Sequence, residues 1–475
     1  MPAASQIDVA VAGGGPGGLA AAAAIIRAIP DCRVQVFESA RSYTPQGAGV
    51  LINLNGQNAL EAIDPELFQR MKEKSVSVVG SMSLSKDGSK EEFRDMKDAF
   101  TDKGSFQDRY GKSMFFLGWH EIRQTLYESL PEGVVHFGKR FQSYSDEGDG
   151  GVTVRFKDGE EVHAKVLIGA DGYFSDVRAQ MLDDGPPEFT GNVMWRARFP
   201  LRSGFTTDRT RWWREAEGFQ GRFAVIFPID SENVTFVANA PLRELHKHGL
   251  PFNPGRPRSV QADLAHADNL QRCLTVFHDF DERLLKVLRE TDPSSVTEHG
   301  LYERPVDKMP DEGWCVGNVS VIGDAAHAGL PNGQGLNLAL EDGAVLGWHL
   351  RQHAINAEAL KRFNAERGPR VKEVYTKGLD AHRGAEKERI IFETAFRSVQ
   401  VDGVDPPGNA SSSSPERATL HVPARSMAAR AQGGRPQHML GLRRGGAALC
   451  HPRIPLHGRG MRPMASHGGS FARLL

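Results

Sequence analysis

Residues 7–26 read IDVAVAGGGPGGLAAAAAII. Ile7 to Ala12 has the length and apolar character of a buried strand, and Leu19 to Ile26 is rich in strong helix formers. Between them Gly13, Gly15 and Gly18 supply a G-x-G-x-x-G turn. Such a turn suits a pyrophosphate: Gly13 permits the tight bend, Gly15 lets the anion reach the backbone, and Gly18 lets the helix sit close to the sheet. A second strand over 33–37 ends at Glu38, twenty residues past Gly18, where a carboxylate can hold ribose hydroxyls. Strand, turn, helix and acid together predict a dinucleotide-binding βα unit. They also account for the apolar stretch 7–29, which has no basic leader and is broken by five glycines and Pro16, so neither a signal peptide nor a membrane span is read there.

The whole chain has 475 residues, 40% of them hydrophobic, and a formal net charge of −1. With a mean hydropathy of −0.40, it is expected to form two or three soluble domains. A near-neutral charge gives no reason to expect nucleic acid or an anionic membrane as a partner. The charge is uneven, however: residues 401–475 hold ten Arg, no Lys and three acids, a net +7 against −8 for the remainder. That tail lacks hydrophobic period and is predicted to be a basic, low-complexity, disordered segment. Cys32, Cys273, Cys315 and Cys450 show no metal-like spacing, which predicts reduced thiols, no metal site and a cytoplasmic location.

Two more strand-to-glycine transitions follow. Lys165 to Ile168 runs into Gly169-Ala170-Asp171-Gly172-Tyr173-Phe174-Ser175-Asp176-Val177-Arg178, and Val319 to Ile322 runs into Gly323-Asp324. With the glycine triad, these segments resemble the three fingerprints of the class A FAD-dependent flavoprotein monooxygenases, the para-hydroxybenzoate hydroxylase type. The resemblance spans about 7–375 and includes Gly47-Ala48-Gly49-Val50 with Asn55 and Leu60, Arg123 with Leu126 and Leu130, Trp195-Arg196, Phe227-Pro228-Ile229, and Phe363 with Glu366, Arg367, Pro369 and Arg370.

The resemblance implies FAD as cofactor, NADPH or NADH as transient co-substrate, and O2. It implies that Gly13, Gly15, Gly18, Glu38, Gly49, Arg123, Asp171, Arg178, Asp324, Pro331, Gly335, Leu336 and Asn337 bind the cofactor. Asp324 would accept a bond from a ribityl hydroxyl, and Pro331 to Gly335 would pass along the flavin ring. Helix amides near Gly335, Leu336 and Asn337 would face flavin N1 and O2, where negative charge collects on reduction. Arg178 is expected near the phosphates, with a surface ion pair as the plainer reading. Arg196, on a substrate-domain strand, is the candidate for reaching the pocket. His327 reads as a satisfied structural donor, and Glu341 and Asp342 as solvated acids on an exposed helical face.

The implied fold is α/β: a Rossmann-like FAD-binding domain with a β-meander over 1–70, 112–184 and 301–400, plus a discontinuous β-rich substrate domain over 71–111 and 185–300. Hairpins are predicted around Asp158-Gly159 and Asp87-Gly88. A helix is predicted from Asn337 to Leu350, its small-residue stripe (Ala339, Gly343, Ala344, Gly347) packing on the sheet. The sequence shows no second glycine triad, no redox cysteine pair, and W-R-A-R-F-P in place of the halogenase motif W-x-W-x-I-P. What remains is a monooxygenase that hydroxylates or epoxidises an electron-rich aromatic or isoprenoid-like molecule through a flavin C4a-hydroperoxide. A flavin-dependent reductase of isoprenoid double bonds and a non-catalytic flavin-binding protein stay open as alternatives. Neither the substrate nor the oligomeric state can be read from the sequence.

Overall fold

The computed structural model describes residues 5–44, 49–95, 112–201, 205–216, 218–254, 266–310, 313–329 and 333–381. The basic tail and Pro331 lie outside them. The fold is α/β, and two sheets dominate it.

The first is six-stranded, in the order Cys315–Val316, Val319–Val321, Val166–Gly169, Val9–Ala12, Val34–Glu38, Val135–Phe137. All neighbours are parallel except the short hairpin at the 315–321 edge. Central parallel strands are covered on both faces, which is why Val9–Ala12 and Val166–Gly169 are apolar throughout and fully buried. Beside this sheet lies the expected meander: Phe141–Asp146, Val152–Phe156 and Glu161–Ala164 pair antiparallel.

One face of the six-stranded sheet is covered by the helix Pro16–Ala28 and by Gly335–His353. The small-residue stripe of the second helix packs on the first helix, not on the sheet as the sequence suggested. A Cβ at Gly343 would stand 2.9 Å from the Ala20 carbonyl carbon and the Ala21 nitrogen, and one at Gly347 would stand 2.9 Å from Ala24. The alanine run on one helix and the glycines on the other let the two backbones close to a distance no larger pair would permit. Periodicity shows that a face is small; it does not show which neighbour uses it.

The second sheet has seven strands, in the order Thr297–Glu303, Glu188–Pro200, Asn233–Pro241, Phe223–Pro228, Arg209–Arg214, Gly80–Ser85, Glu91–Asp95. Its strands come from separate parts of the chain, and the single parallel pair, Arg209–Arg214 with Gly80–Ser85, is where they meet. Alternation sorts its two faces. Trp195, Ala197, Trp213, Ala224, Phe236 and Ala238 bury against the helices His266–Val276 and Glu282–Glu290, which contribute Leu270, Cys273, Leu284 and Leu288, with Phe277 just past the end of the first. The opposite face turns toward the nucleotide-binding layer. There Val225, Phe227 and Ile229 join Leu51, Leu54, Met114 and Phe116 in one cluster, with Trp212 and Val237 against it.

Candidate active site

Parallel strands deliver their C-terminal ends to one edge of a sheet, and three glycine-bearing turns leave that edge here. Ala170 N–H donates to Ala12 O at 2.7 Å and Ile322 N–H to Gly169 O at 2.9 Å, so the segments after residues 12, 169 and 321 are adjacent.

In the first turn the three glycines separate by function. Gly13 has φ +114°, and a Cβ there would meet Ala170 O at 2.3 Å. At Gly18 a Cβ would meet Gly13 O at 2.1 Å, so the turn closes only without one. Around Gly15, by contrast, no protein atom comes within 4 Å of the built Cβ. The backbone is open at the N-cap of the helix beginning at Pro16, which fits an anion approaching from outside the protein. Glu38 flanks this turn, accepting from Gly14 N–H at 2.8 Å and Ala40 N–H at 2.7 Å. Ser39 Oγ donates as well, at 3.2 Å; a carboxylate has about four acceptor positions, so these bonds fix its orientation and leave capacity for a ribose hydroxyl.

Arg123 lies in the second turn of the helix Trp119–Glu128, its guanidinium against the rings of Tyr43 (4.2 Å) and Trp119 (4.4 Å). It donates to Thr44 O at 3.0 Å, while its Nε is buried with no hydrogen-bond partner among the described residues. Burial pulls its pKa below the usual arginine value, opposed by Tyr43 and Glu38. A buried, stacked cation with an unused donor fits a cofactor oxygen. Trp119 was not singled out from sequence, although the i, i+4 spacing puts it on Arg123's face of the helix. Tyr43 carries no such signal. Its hydroxyl donates to Gly14 O at 2.7 Å, which ties the arginine to the glycine turn.

The second turn is built on Asp171, which accepts from Ser175 Oγ at 2.5 Å and Val177 N–H at 3.1 Å, while Ser175 caps the helix Asp176–Leu182. Burial raises the Asp171 pKa against these bonds. Arg178 is 1% exposed and turned inward. It pairs with Asp184 at 2.6 Å and donates to Ala325 O at 3.1 Å and Ala326 O at 2.5 Å. The geometry is an internal tie between the second and third turns, and the ion pair to Asp184 is made by a buried arginine, not by a surface one.

The third turn holds Asp324, half-buried, its Oδ1 3.9 Å from where a Cβ of Gly335 would stand. The carboxylate thus faces the start of the helix Gly335–His353. That helix makes its first internal bond from Leu338 N–H to Gln334 O at 2.8 Å. The amides of Gly335, Leu336 and Asn337 precede the ladder and carry the positive end of the helix dipole. Asn337 is fully buried, its side chain accepting from Asn53 N–H at 2.9 Å and donating to Leu51 O at 3.1 Å and Gly333 O at 2.7 Å.

Glu341 and Asp342 are not solvated acids; they are 0% and 1% exposed. Arg367 lies between them, 2.5 Å from Glu341 and 2.8 Å from Asp342. Asn55 donates to Glu341 at 2.7 Å, and Asp342 also accepts from Gly323 N–H at 2.9 Å and contacts His327 Nε2 at 2.6 Å. Burial would raise both carboxyl pKa values, but Arg367, with Arg370 for Glu341 and His327 for Asp342, outweighs it and holds both below the ordinary range. The prior that acids sit in water fails because two arginines three residues apart arrive from the next helix, Ala357–Ala381. His327 contacts Asp342 through Nε2, while its buried Nδ1 has no hydrogen-bond partner among the described residues, so it is only half satisfied.

Gly49 makes its close approach to the seven-stranded sheet. A Cβ there would stand 2.4 Å from both Phe227 and Ile229. Arg196 is half-buried and pairs across the sheet with Val237, which pairs with Val225, which pairs with Trp212. Directly paired residues share a face, so Arg196 is on the side turned to the nucleotide-binding layer. Among the described residues, no group of three or more His, Cys, Asp or Glu could hold a metal, and no helix is long and apolar enough to cross a membrane.

A glycine turn into a helix, with a second helix start beside it, defines a dinucleotide-binding flavoprotein layer. The chain belongs to the FAD binding domain family, whose pattern matches residues 6–195 and 281–377, and its enzyme class is the FAD-dependent monooxygenase. Among its relatives, aurachin C monooxygenase/isomerase of Stigmatella aurantiaca is 27% identical over 77% of this chain and 86% of that protein. The 3-amino-4-hydroxybenzoate 2-monooxygenase of Streptomyces cremeus is 29% identical over 78% and 85%. The structure of Klebsiella pneumoniae HpxO with FAD and uric acid has a similar fold, with a TM-score of 0.63 at 21% identity over 83% of this chain and 90% of that one.

Proposed function

We propose that the protein uses NADPH or NADH and O2 to place one oxygen atom on an electron-rich aromatic ring, the other oxygen leaving as water. The observation that carries this reading is the meeting of three open turns at one sheet edge, opposite a sheet face that is apolar and aromatic apart from Arg196 and a few polar groups. Relatives support the aromatic class: their names give 6-methylsalicylate, 3-amino-4-hydroxybenzoate and 6-hydroxynicotinate as substrates.

Bound FAD supplies the redox chemistry. The chain supplies the rest. Gly15 and the amides at the start of the Pro16 helix receive the pyrophosphate. Glu38 takes ribose hydroxyls, Arg123 offers Nε to a cofactor oxygen, and Asp324 takes a ribityl hydroxyl. The amides of Gly335, Leu336 and Asn337 stabilise negative charge at the flavin pyrimidine. Asp171 and Arg178 act through the turns they hold. Arg196 orients an anionic ring substituent, and the Leu51, Phe116, Val225 and Val237 surface excludes water.

The test is a screen of hydroxybenzoates and related aromatic acids for accelerated NAD(P)H consumption by the FAD-loaded protein, with product mass read alongside. Hydroxylation requires a product heavier by one oxygen, labelled from isotopic O2. Oxidation of NAD(P)H with no such product from any ring would refute the reading.

A further inference from the structure

We propose that Asp184 is a positioning residue for the flavin: it locks the third turn, where Asp324 stands, to the two points at which the chain crosses between the nucleotide-binding layer and the seven-stranded sheet. This rests on the reading of that turn as a flavin contact and adds that the flavin's seat is set from the seven-stranded sheet.

The chain enters the seven-stranded sheet between the helix Asp176–Leu182 and the strand Glu188–Pro200, and it leaves after the strand Thr297–Glu303. Glu188 pairs with Glu303 and Phe189 with Tyr302, so the two crossings lie side by side. Asp184 sits in the first crossing, and Arg304 is the first residue of the second. Arg304 donates through one terminal nitrogen to Asp184 at 3.4 Å and through the other to Gly185 O at 3.2 Å, which bonds one crossing to the other. Its backbone N–H donates to Ala328 O at 2.8 Å. Arg178 reaches the same carboxylate from the helix and holds Ala325 O and Ala326 O. One carboxylate therefore gathers two arginines whose bonds fix the carbonyls on the far side of the third turn.

Arg178 is 1% exposed and Arg304 8%. Burial, together with repulsion from Arg178, pulls the Arg304 pKa down to about 10 against the attraction of Asp184. Asp184 is the counter-ion the two arginines share: burial would raise its pKa, but Arg178 and Arg304 outweigh it and hold it below the ordinary range. Without that charge two buried cations face each other, and relief comes when one swings out and gives up its hold on the turn.

The same fastening reaches the strand that carries Arg196. At the other end of Glu188–Pro200, Arg198 pairs with Glu121 at 2.5 Å and with Asp230 at 2.9 Å. Glu121 belongs to the helix Trp119–Glu128 of the nucleotide-binding layer. The strand is thus tied to that layer at both ends, and the Asp184 end is the one that also holds the turn of Asp324.

The test is FAD affinity of the full chain, measured by ultrafiltration with added FAD, and the visible circular dichroism of the bound flavin, in Asp184→Asn and Arg304→Gln, with Tm recorded alongside. Loss of charge-assisted bonds at this depth predicts at least about a tenfold weaker hold on FAD in either variant, with altered flavin dichroism. The double variant should lose little more than the worse single one, because the pair acts as a unit. Neither residue is assigned a flavin contact, so Arg304→Gln reads whether the seven-stranded sheet sets the flavin's seat. A fall in Tm with FAD affinity and dichroism as in wild type would make the cluster a stability element only and overturn the proposal. Effects that add in the double variant would overturn it too. If Asp184→Asn does not fold, Arg304→Lys, which keeps the charge and gives up the forked contact with Asp184 and Gly185, decides by the same readings. Asp324→Ala separates this proposal from the reading beneath it. Loss of FAD there with retention in the Asp184 and Arg304 variants refutes this proposal alone; retention in Asp324→Ala removes the flavin contact, and both fall.

Discussion

Replacing Arg367 with Met strands Glu341 and Asp342 in the interior. The arginine is 1% exposed and makes its two closest contacts at 2.5 and 2.8 Å, to carboxylates that are themselves 0% and 1% exposed. Methionine keeps much of the volume and removes the charge, so the loss is electrostatic. Arg370 remains 3.3 Å from Glu341 and His327 2.6 Å from Asp342, which leaves about one carboxylate uncompensated. Removing one partner of a buried pair costs about 3–5 kcal/mol. For a large domain, roughly 2 °C per kcal/mol gives a drop in Tm of about 6–10 °C. The pH dependence has a definite sign. In the wild type both carboxyl pKa values are depressed, so the stability they contribute is present above the unfolded values of 3.8 and 4.5 and is lost as pH falls through the folded ones. In the variant burial is no longer outweighed and the carboxyl pKa rises. Protonation then relieves it at milder acidity, and the Tm gap should narrow as pH falls from 8 toward 5. Thermal melts followed by near-ultraviolet circular dichroism and by flavin fluorescence would measure both. A gap under about 2 °C, or one that widens in acid, would refute the account of the buried charges.

Gly15→Val should leave the fold intact, since nothing lies within 4 Å of its Cβ, yet strip FAD from the purified protein; stoichiometric yellow colour would remove the pyrophosphate assignment. Asp324→Ala should likewise lose FAD, read from the absorbance ratio after desalting, and full retention would contradict the ribityl contact. Gly343→Val would set a Cβ 2.9 Å from the Ala20 and Ala21 backbone and must force the helices apart, at a cost of about 1–3 kcal/mol or more; a melting temperature equal to wild type would show that the helices can slide. Arg178→Ala is expected to lower Tm and FAD affinity together by loosening the turn at Ala325 and Ala326, and a change in the rate of reduction by NADPH with both unaltered would refute this purely structural role.

Local backbone chemistry was the legible part. Gly13, Gly15, Gly18 and Glu38 could be given separate tasks from spacing alone because each answers a constraint within one turn; the structure has Gly13 at φ +114°, Gly18 closed against Gly13 O, and open space at Gly15. Asn337 to Leu350 was legible as a helix for the same reason. Partnerships were harder. The small face of that helix was visible, but its neighbour turned out to be Ala20, Ala21 and Ala24 rather than the sheet. Arg178 and Gly49 were singled out for the cofactor, while their close contacts are with Asp184 and the Ala325–Ala326 carbonyls and with Phe227 and Ile229. Glu341 and Asp342 were misplaced because an acid's burial depends on distant residues, here Arg367 and Arg370.

The order of strands across the two sheets bears on how the chain can be made. Val9–Ala12 must wait for Val166–Gly169 to flank it, and that strand waits for Val319–Val321. In the other sheet Gly80–Ser85 finds its parallel neighbour only when Arg209–Arg214 has been synthesised. The two layers are interleaved along the chain, so neither can finish as a unit during translation, and contacts this far apart in sequence close slowly. An early stop would leave unpaired strand edges, and a chain cut between the layers in space has no single point at which it could be cut in sequence.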